Sequence, residues 1–262
     1  MNAIPEQHAQ EAIQQEETRQ GNTHEGGTAE PAPRDRHLPP PAYDTILFDL
    51  DGTLLDTAPD LIGAANTLRA EHGHPALDDG IYDPVVSHGS AAMISRSFNL
   101  APDDAAMEAL RDRFLTLYRE RVSQLTRPFA GIPDLLDEIE ARGLRWGVVT
   151  NKPAWLTEPL LQDLGLAERA ACIVSGDTVA RRKPDPRPIT HACELLGVEP
   201  HRALVVGDAM RDVTAGRLAG AATLVALFGY ICGEDQPTRW GADGLVGNPV
   251  DVIRWLSPSR TA

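Results

Sequence analysis

The chain has 262 residues, 42% of them hydrophobic, enough for the core of one large α/β domain with an inserted module. Its formal net charge of -14 excludes a general nucleic-acid-binding surface, which has to be basic. No stretch is long and apolar enough to cross a membrane, and no secretory apolar segment opens the chain. Cys172, Cys193 and Cys232 form neither a metal-type cluster nor an even set, so they read as reduced thiols in a cytoplasmic protein.

Residues 1–41 are rich in Gln, Glu, Gly, His and Pro and end in Leu38-Pro39-Pro40-Pro41; a disordered leader is expected there. Ile46, Leu47 and Phe48 then form an apolar, strand-prone run. Asp49 and Asp51 follow at spacing two, before Gly52-Thr53. Along an extended backbone these acids face opposite sides, and Gly52 permits the bend that turns both toward one pocket. A buried strand ending in acids places them at the sheet edge where open α/β folds bind ligands.

The spacing of Leu61, Ile62, Ala65 and Leu68 predicts a helix from Ala58 to about Glu71. From Asp78 to Arg127 the pattern stays helical and is broken by Gly and Pro, with segments near 81–87, 90–98 and 102–123. This run reads as an insertion over 58–128, with Pro59 and Arg127-Pro128 flanking its two crossings. Alternation then resumes: helix 132–141, strand 144–150, helix 155–164, strand 172–174, helix 188–196, strand 203–207, helix 211–219, strand 223–227, a short strand at Leu245-Val246 and helix 250–256. The expected fold class is α/β, a Rossmann-like parallel sheet with helices on both faces, formed by 42–57 and 129–262, plus an all-helical cap over 58–128.

Three further motifs follow the first. Val148-Val149-Thr150-Asn151-Lys152 ends a strand in a hydroxyl, which with adjacent backbone donors suits an oxyanion. Lys183-Pro184-Asp185-Pro186 offers a compact charge in a stiff loop. Leu204-Val205-Val206-Gly207-Asp208 ends a strand in an acid, and Asp212 follows four residues later; alone, Asp212 also fits an acid at a helix N-terminus.

Together the four motifs resemble those of the haloacid dehalogenase-like superfamily, in its order and over about residues 43–258. The resemblance implies a phosphomonoesterase: Asp49 as nucleophile forming an aspartyl-phosphate, Asp51 as general acid–base, and Thr150, Asn151 and Lys183 on the phosphoryl group. It implies Mg²⁺ held by Asp49, Asp208 and Asp51 through its backbone carbonyl, with Asp212 in the outer shell or replacing a water. An acid at Asp51 sets the chain apart from the family's dehalogenases, and the absence of lysine in 58–128 sets it apart from its phosphonatases. A phosphomutase or a non-catalytic binding module would use the same fold.

Leu54-Leu55-Asp56-Thr57-Ala58-Pro59-Asp60-Leu61 resembles the phosphoglycolate phosphatase branch. Phe228-Gly229-Tyr230 and Pro237–Asp243 look more like N-acetylmuramic acid 6-phosphate phosphatases. Phosphoglycolate is the narrowly preferred substrate. In the cap, Ser87-His88-Gly89-Ser90 is a turn-prone stretch opening a helix that carries Arg96. His88 and Arg96 are candidate leaving-group contacts by that resemblance, and equally a turn residue and a solvated helix residue. The expected partner is a small phosphorylated metabolite, with no nucleic acid and no membrane, and the chain is expected to be a monomer or homodimer.

Overall fold

The structure, a computed structural model, describes residues 43–256; the leader expected over 1–41 lies outside the described residues. The strands in chain order are β1 (Thr45–Phe48), β2 (Leu55–Asp56), β3 (Arg127–Pro128), β4 (Arg145–Val149), β5 (Ile173–Val174), β6 (Ala203–Gly207), β7 (Ala222–Ala226) and β8 (Gly244–Val246). The α-helices are α1 (Ala58–Glu71), α2 (Ser90–Phe98), α3 (Met107–Arg119), α4 (Ile132–Ala141), α5 (Ala154–Asp163), α6 (Arg187–Leu196) and α7 (Met210–Ala219).

Six strands form one parallel sheet in the order β5-β4-β1-β6-β7-β8. β1 is central, and all four of its residues are buried. Ile46 and Phe48 join one apolar cluster and Leu47 the other, because successive side chains alternate across a strand and both faces are covered. From β1 the chain winds out through β4 to β5, then returns to β6 and winds the other way to β8. The order therefore reverses at β1, and such a switch point opens a crevice at the C-terminal ends of β1, β4 and β6.

The helices carry apolar stripes at spacings of three and four. In α4 these are Ile132, Leu135, Leu136 and Ile139, all buried. Close approach also matters in the sheet: a Cβ on Gly147 of β4 would stand 2.5 Å from Cys172 Sγ.

Between β2 and β3 lie α1, α2, α3 and two short 3₁₀ turns, Asp79–Ile81 and Val86–His88, and no strand among the described residues. The segment expected to be helical over 81–87 is thus mostly turn. Pro84 sits within it and supplies no backbone N–H. The helix expected over 102–123 runs only from Met107 to Arg119. Asp104 Oδ1 accepts from Ala106 N at 2.8 Å, a local turn that competes with helix. The last helix expected, over 250–256, is a 3₁₀ helix, Pro249–Trp255.

The two crossings pair with each other as an antiparallel ribbon, Leu55 opposite Pro128 and Asp56 opposite Arg127. Each strand is two residues long, too short for an alternation signal. Two side chains fasten these crossings. Fully buried Asp60 accepts from Leu125 N at 2.9 Å, Thr126 N at 2.8 Å and Thr126 Oγ1 at 2.8 Å, with Arg121 Nε at 3.5 Å. Tyr230 donates its O–H to Asp56 Oδ1 and accepts from Ala58 N, both at 2.8 Å.

Candidate active site

Asp49, Thr150 and Asp208 each directly follow β1, β4 and β6, so the topology brings all three to one sheet edge. The bend after β1 is made at Gly52, with φ of +82°. A Cβ there would stand 2.1 Å from Asp208 Oδ2, so only glycine lets this loop lie against that carboxylate. As a result Asp49 and Asp51 border the same cavity, about 250 Å³ in volume.

Asp49 is buried. Its Oδ1 accepts from Leu50 N at 2.7 Å and lies 3.1 Å from Lys183 Nζ; its Oδ2 lies 3.7 Å from Arg211 Nη2. Burial alone raises its pKa, but Lys183, Arg211 and the Leu50 N–H outweigh burial and hold the carboxyl below its ordinary range. Lys183 Nζ also lies 2.7 Å from Asp212 Oδ1 and donates to Val149 O at 2.5 Å. Burial pushes its ammonium down, and Asp212 and Asp49 more than restore it. Asp212 Oδ2 accepts from Ala209 N at 3.0 Å and so fixes the start of α7. Burial, then Asp49, raise the Asp212 carboxyl against Lys183 and Arg211.

Asp208 is the least satisfied acid. Its Oδ2 accepts from Tyr230 N at 3.0 Å, while its buried Oδ1 has no hydrogen-bond partner. Burial first, then Asp49 and Asp212, push its pKa up to about 8. One carboxylate oxygen from each of Asp49, Asp208 and Asp212 lies within 4.8 Å of the others. Three buried acids thus face two cations, Lys183 and Arg211. An all-oxygen set with one orphaned carboxylate oxygen and an excess of negative charge fits a hard divalent cation. Asp212 offers an oxygen to this cluster alongside Asp49 and Asp208.

Asp51 is more open. Its Oδ1 pairs with Lys152 Nζ at 2.8 Å. Lys152 is buried, donates to Tyr118 O–H of α3 at 2.9 Å and stands 4.5 Å above that ring. Burial lowers the Lys152 ammonium, but Asp51 and Tyr118 raise it beyond its ordinary value. Burial drives the Tyr118 phenol up to about 12, so it stays protonated. Thr150 Oγ1 accepts from Lys152 N at 3.2 Å, and Asn151 Nδ2 donates to Lys183 O at 2.9 Å. Asn151 therefore ties the second motif to the third.

On the cap side, Ser87, His88, Gly89 and Ser90 line the cavity. Arg96 does not: it is exposed on α2, and α3 supplies Arg111 in its place. His88 Nδ1 is 2.9 Å from Pro84 O, so one ring nitrogen is engaged locally. Arg211 Nη1 donates to Ser87 O at 2.9 Å while its other nitrogen nears Asp49, which links α7 to the cap turn.

Sequence reasoning missed Lys152, Tyr118, Arg111, Arg211 and Tyr230. One signal was available: the chain contains only two lysines, Lys152 and Lys183, against 22 arginines. Both lysines are buried here. The three cysteines are free, and burial pushes Cys172 and Cys193 up to about 11.

The family model for haloacid dehalogenase-like hydrolases matches residues 46–226. An N-acetylmuramic acid 6-phosphate phosphatase from Pseudomonas aeruginosa is 49% identical over 208 residues, 79% of this chain and 92% of that protein. A phosphoglycolate phosphatase from Xylella fastidiosa is 42% identical over 205 residues, 78% of this chain and 89% of that protein. Among solved structures, a predicted phosphoglycolate phosphatase from Haemophilus somnus superposes with a TM-score of 0.72 at 24% identity, covering 81% of this chain and 97% of that one.

Proposed function

Since this chain belongs to the haloacid dehalogenase-like hydrolase family, we propose that it is a phosphomonoesterase whose substrate is a small metabolite with a carboxylate on its leaving group. N-acetylmuramic acid 6-phosphate is the favoured substrate. The observation that carries this choice is the cavity: its walls include Leu61, Met93, Phe114, Leu115 and Leu156, and its volume, about 250 Å³, exceeds what a two-carbon acid fills. The 49% identity to a relative of that name supports it. Phosphoglycolate is the second reading, favoured by the 42% identical relative.

The phosphoryl group binds above Asp49, with Lys183 and Thr150 as donors to its oxygens. An Asp49 oxygen attacks phosphorus as the bond to the leaving oxygen breaks, and Asp51 gives that oxygen its proton. Asp51, now a base, takes a proton from water as the water oxygen attacks the aspartyl-phosphate. Phosphate leaves and Asp49 is regenerated. The low pKa of Asp49 keeps it ionised for the first step. Asp49, Asp208 and the Asp51 carbonyl, with Asp212 beside them, would hold Mg²⁺, which would supply positive charge for the transferring oxygens. Residues 58–128 act as a cap, hinged at the β2–β3 ribbon, that excludes water and reads the leaving group.

The test is a panel of phosphorylated metabolites ranked by kcat/KM, with and without EDTA. Turnover should require Mg²⁺, and N-acetylmuramic acid 6-phosphate should rank above phosphoglycolate. Full activity in chelator rejects the metal assignment, and a preference for carboxylate-free esters rejects the substrate class.

A further inference from the structure

α3 faces the cavity along one stripe: Arg111, Phe114, Leu115 and Tyr118 all line it, at the spacings that share a helix face. The two ends of this stripe differ in what holds them. At the C-terminal end, Tyr118 bonds Lys152, which pairs with Asp51, so that end is tied to the acid–base carboxylate. Two turns back, Arg111 gives its Nε to Ser90 Oγ at 2.9 Å. Among the described residues no carboxylate pairs with it, whereas Arg113, Arg142, Arg169 and Arg202 each have such a partner. Ser90 holds the guanidinium by its Nε alone, and Arg111 borders the cavity. Phe114 and Leu115 form an apolar stretch between the two ends.

We infer that Arg111, held by Ser90, is the specificity residue that binds the leaving group's carboxylate. This rests on the phosphomonoesterase reading and deepens it. An arginine fork suits a carboxylate in two-point contact. Seven residues of helix separate Arg111 from Tyr118, a rise of roughly 10 Å. The carboxylate subsite therefore lies well away from the phosphoryl site. That span suits an acid carried on the far side of a sugar, whereas in phosphoglycolate a single carbon separates carboxylate and ester oxygen. The apolar middle of the stripe matches a sugar ring and its acetyl methyl.

The test compares kcat/KM for N-acetylmuramic acid 6-phosphate with that for N-acetylglucosamine 6-phosphate, which lacks the lactyl acid. The wild type should prefer the acid. Arg111→Met should shrink the ratio between the two substrates by roughly 10- to 100-fold, mainly through KM, and Arg111→Lys by less. A ratio within about 3-fold of wild type, with both substrates losing equally, means Arg111 only supports the cap and overturns the inference. Failure of the substrate reading looks different: the wild type then hydrolyses phosphoglycolate and neither sugar phosphate. In that event the same variants are compared on phosphoglycolate and 2-hydroxyethyl phosphate. A ratio that collapses there retains Arg111 as the carboxylate residue and rejects the remote subsite, and an unchanged ratio rejects both.

Discussion

The cavity has two halves built on different principles. On the sheet side Asp49, Asp208, Asp212 and Lys183 are buried: Asp49 and Asp212 share Lys183, half-buried Arg211 approaches Asp49, and Asp208 keeps one oxygen free. On the cap side Arg111 is exposed and holds only a serine hydroxyl. Buried charges in low dielectric act strongly and tolerate no vacancy, since removing one partner of a buried pair costs about 3–5 kcal/mol. Exposed groups exert less force and adapt to a ligand at little cost. The sheet half is therefore suited to one invariant chemistry on phosphate. The cap half is suited to choosing among leaving groups, and the two halves should respond to mutation on different scales.

The sharpest break is at the nucleophile. Asp49→Asn keeps size and shape, and it relieves Asp208 and Asp212 of a like charge, so folding should survive. Turnover should vanish for every substrate alike, because an amide cannot form the aspartyl-phosphate. Asp51→Asn comes next, with a loss of roughly 10²–10⁴-fold in kcat, the range for a general acid–base. Near-normal kcat in Asp49→Asn, with correct mass and melting temperature, rules out the covalent route.

These two halves were unequally legible from sequence. Asp49, Thr150 and Asp208 sit one residue past an apolar strand, so the strand pattern alone aimed them at a common edge. Lys183 needed the resemblance, because its loop follows no strand of its own. The cap residues had no such anchor. Arg96 and Arg111 both stand on helices, and which of the two faces the cavity depends on how α2 and α3 pack. That packing comes from Met93, Ile94, Leu110 and Phe114 in three dimensions. Asp56, Ala58 and Tyr230 meet across 172 or more residues, beyond any local pattern. The same holds for Lys152 and Tyr118. The rarity of lysine marked Lys152 as unusual without showing what it touches.

Lys152 sits where the two halves meet, and its variants ask whether they are coupled. Lys152→Met retains the apolar stem under Tyr118 and removes the charge on Asp51. Expected is a fall in kcat of roughly 10- to 100-fold, less than for Asp51→Asn, with KM nearly constant. Lys152→Arg should recover part of it, since a guanidinium still reaches the carboxylate. A change confined to KM would instead make Lys152 a binding residue, separate from the acid–base step.

The smallest effect is expected at Arg96, where the comparison is made sharper by a near-silent change. Arg96 and Arg111 are both exposed arginines of the cap, and the sequence, through the resemblance, points to Arg96. The structure separates them: Arg111 borders the cavity and is held by Ser90 Oγ, and Arg96 does not border it. No carboxylate partner for Arg96 occurs among the described residues, and its side chain is exposed. An exposed side chain of this kind contributes within about 0.5 kcal/mol to stability. Arg96→Met should accordingly leave kcat/KM within about 2-fold of wild type for acidic and neutral phosphate esters alike, given that an exposed charge away from the ligand exerts little force. Measured beside Arg111→Met on the same two sugar phosphates, it controls for the loss of any cap arginine. A selective drop on the acidic substrate in Arg96→Met would mean that α2, not α3, carries the carboxylate contact and that the cap closes differently over its ligand.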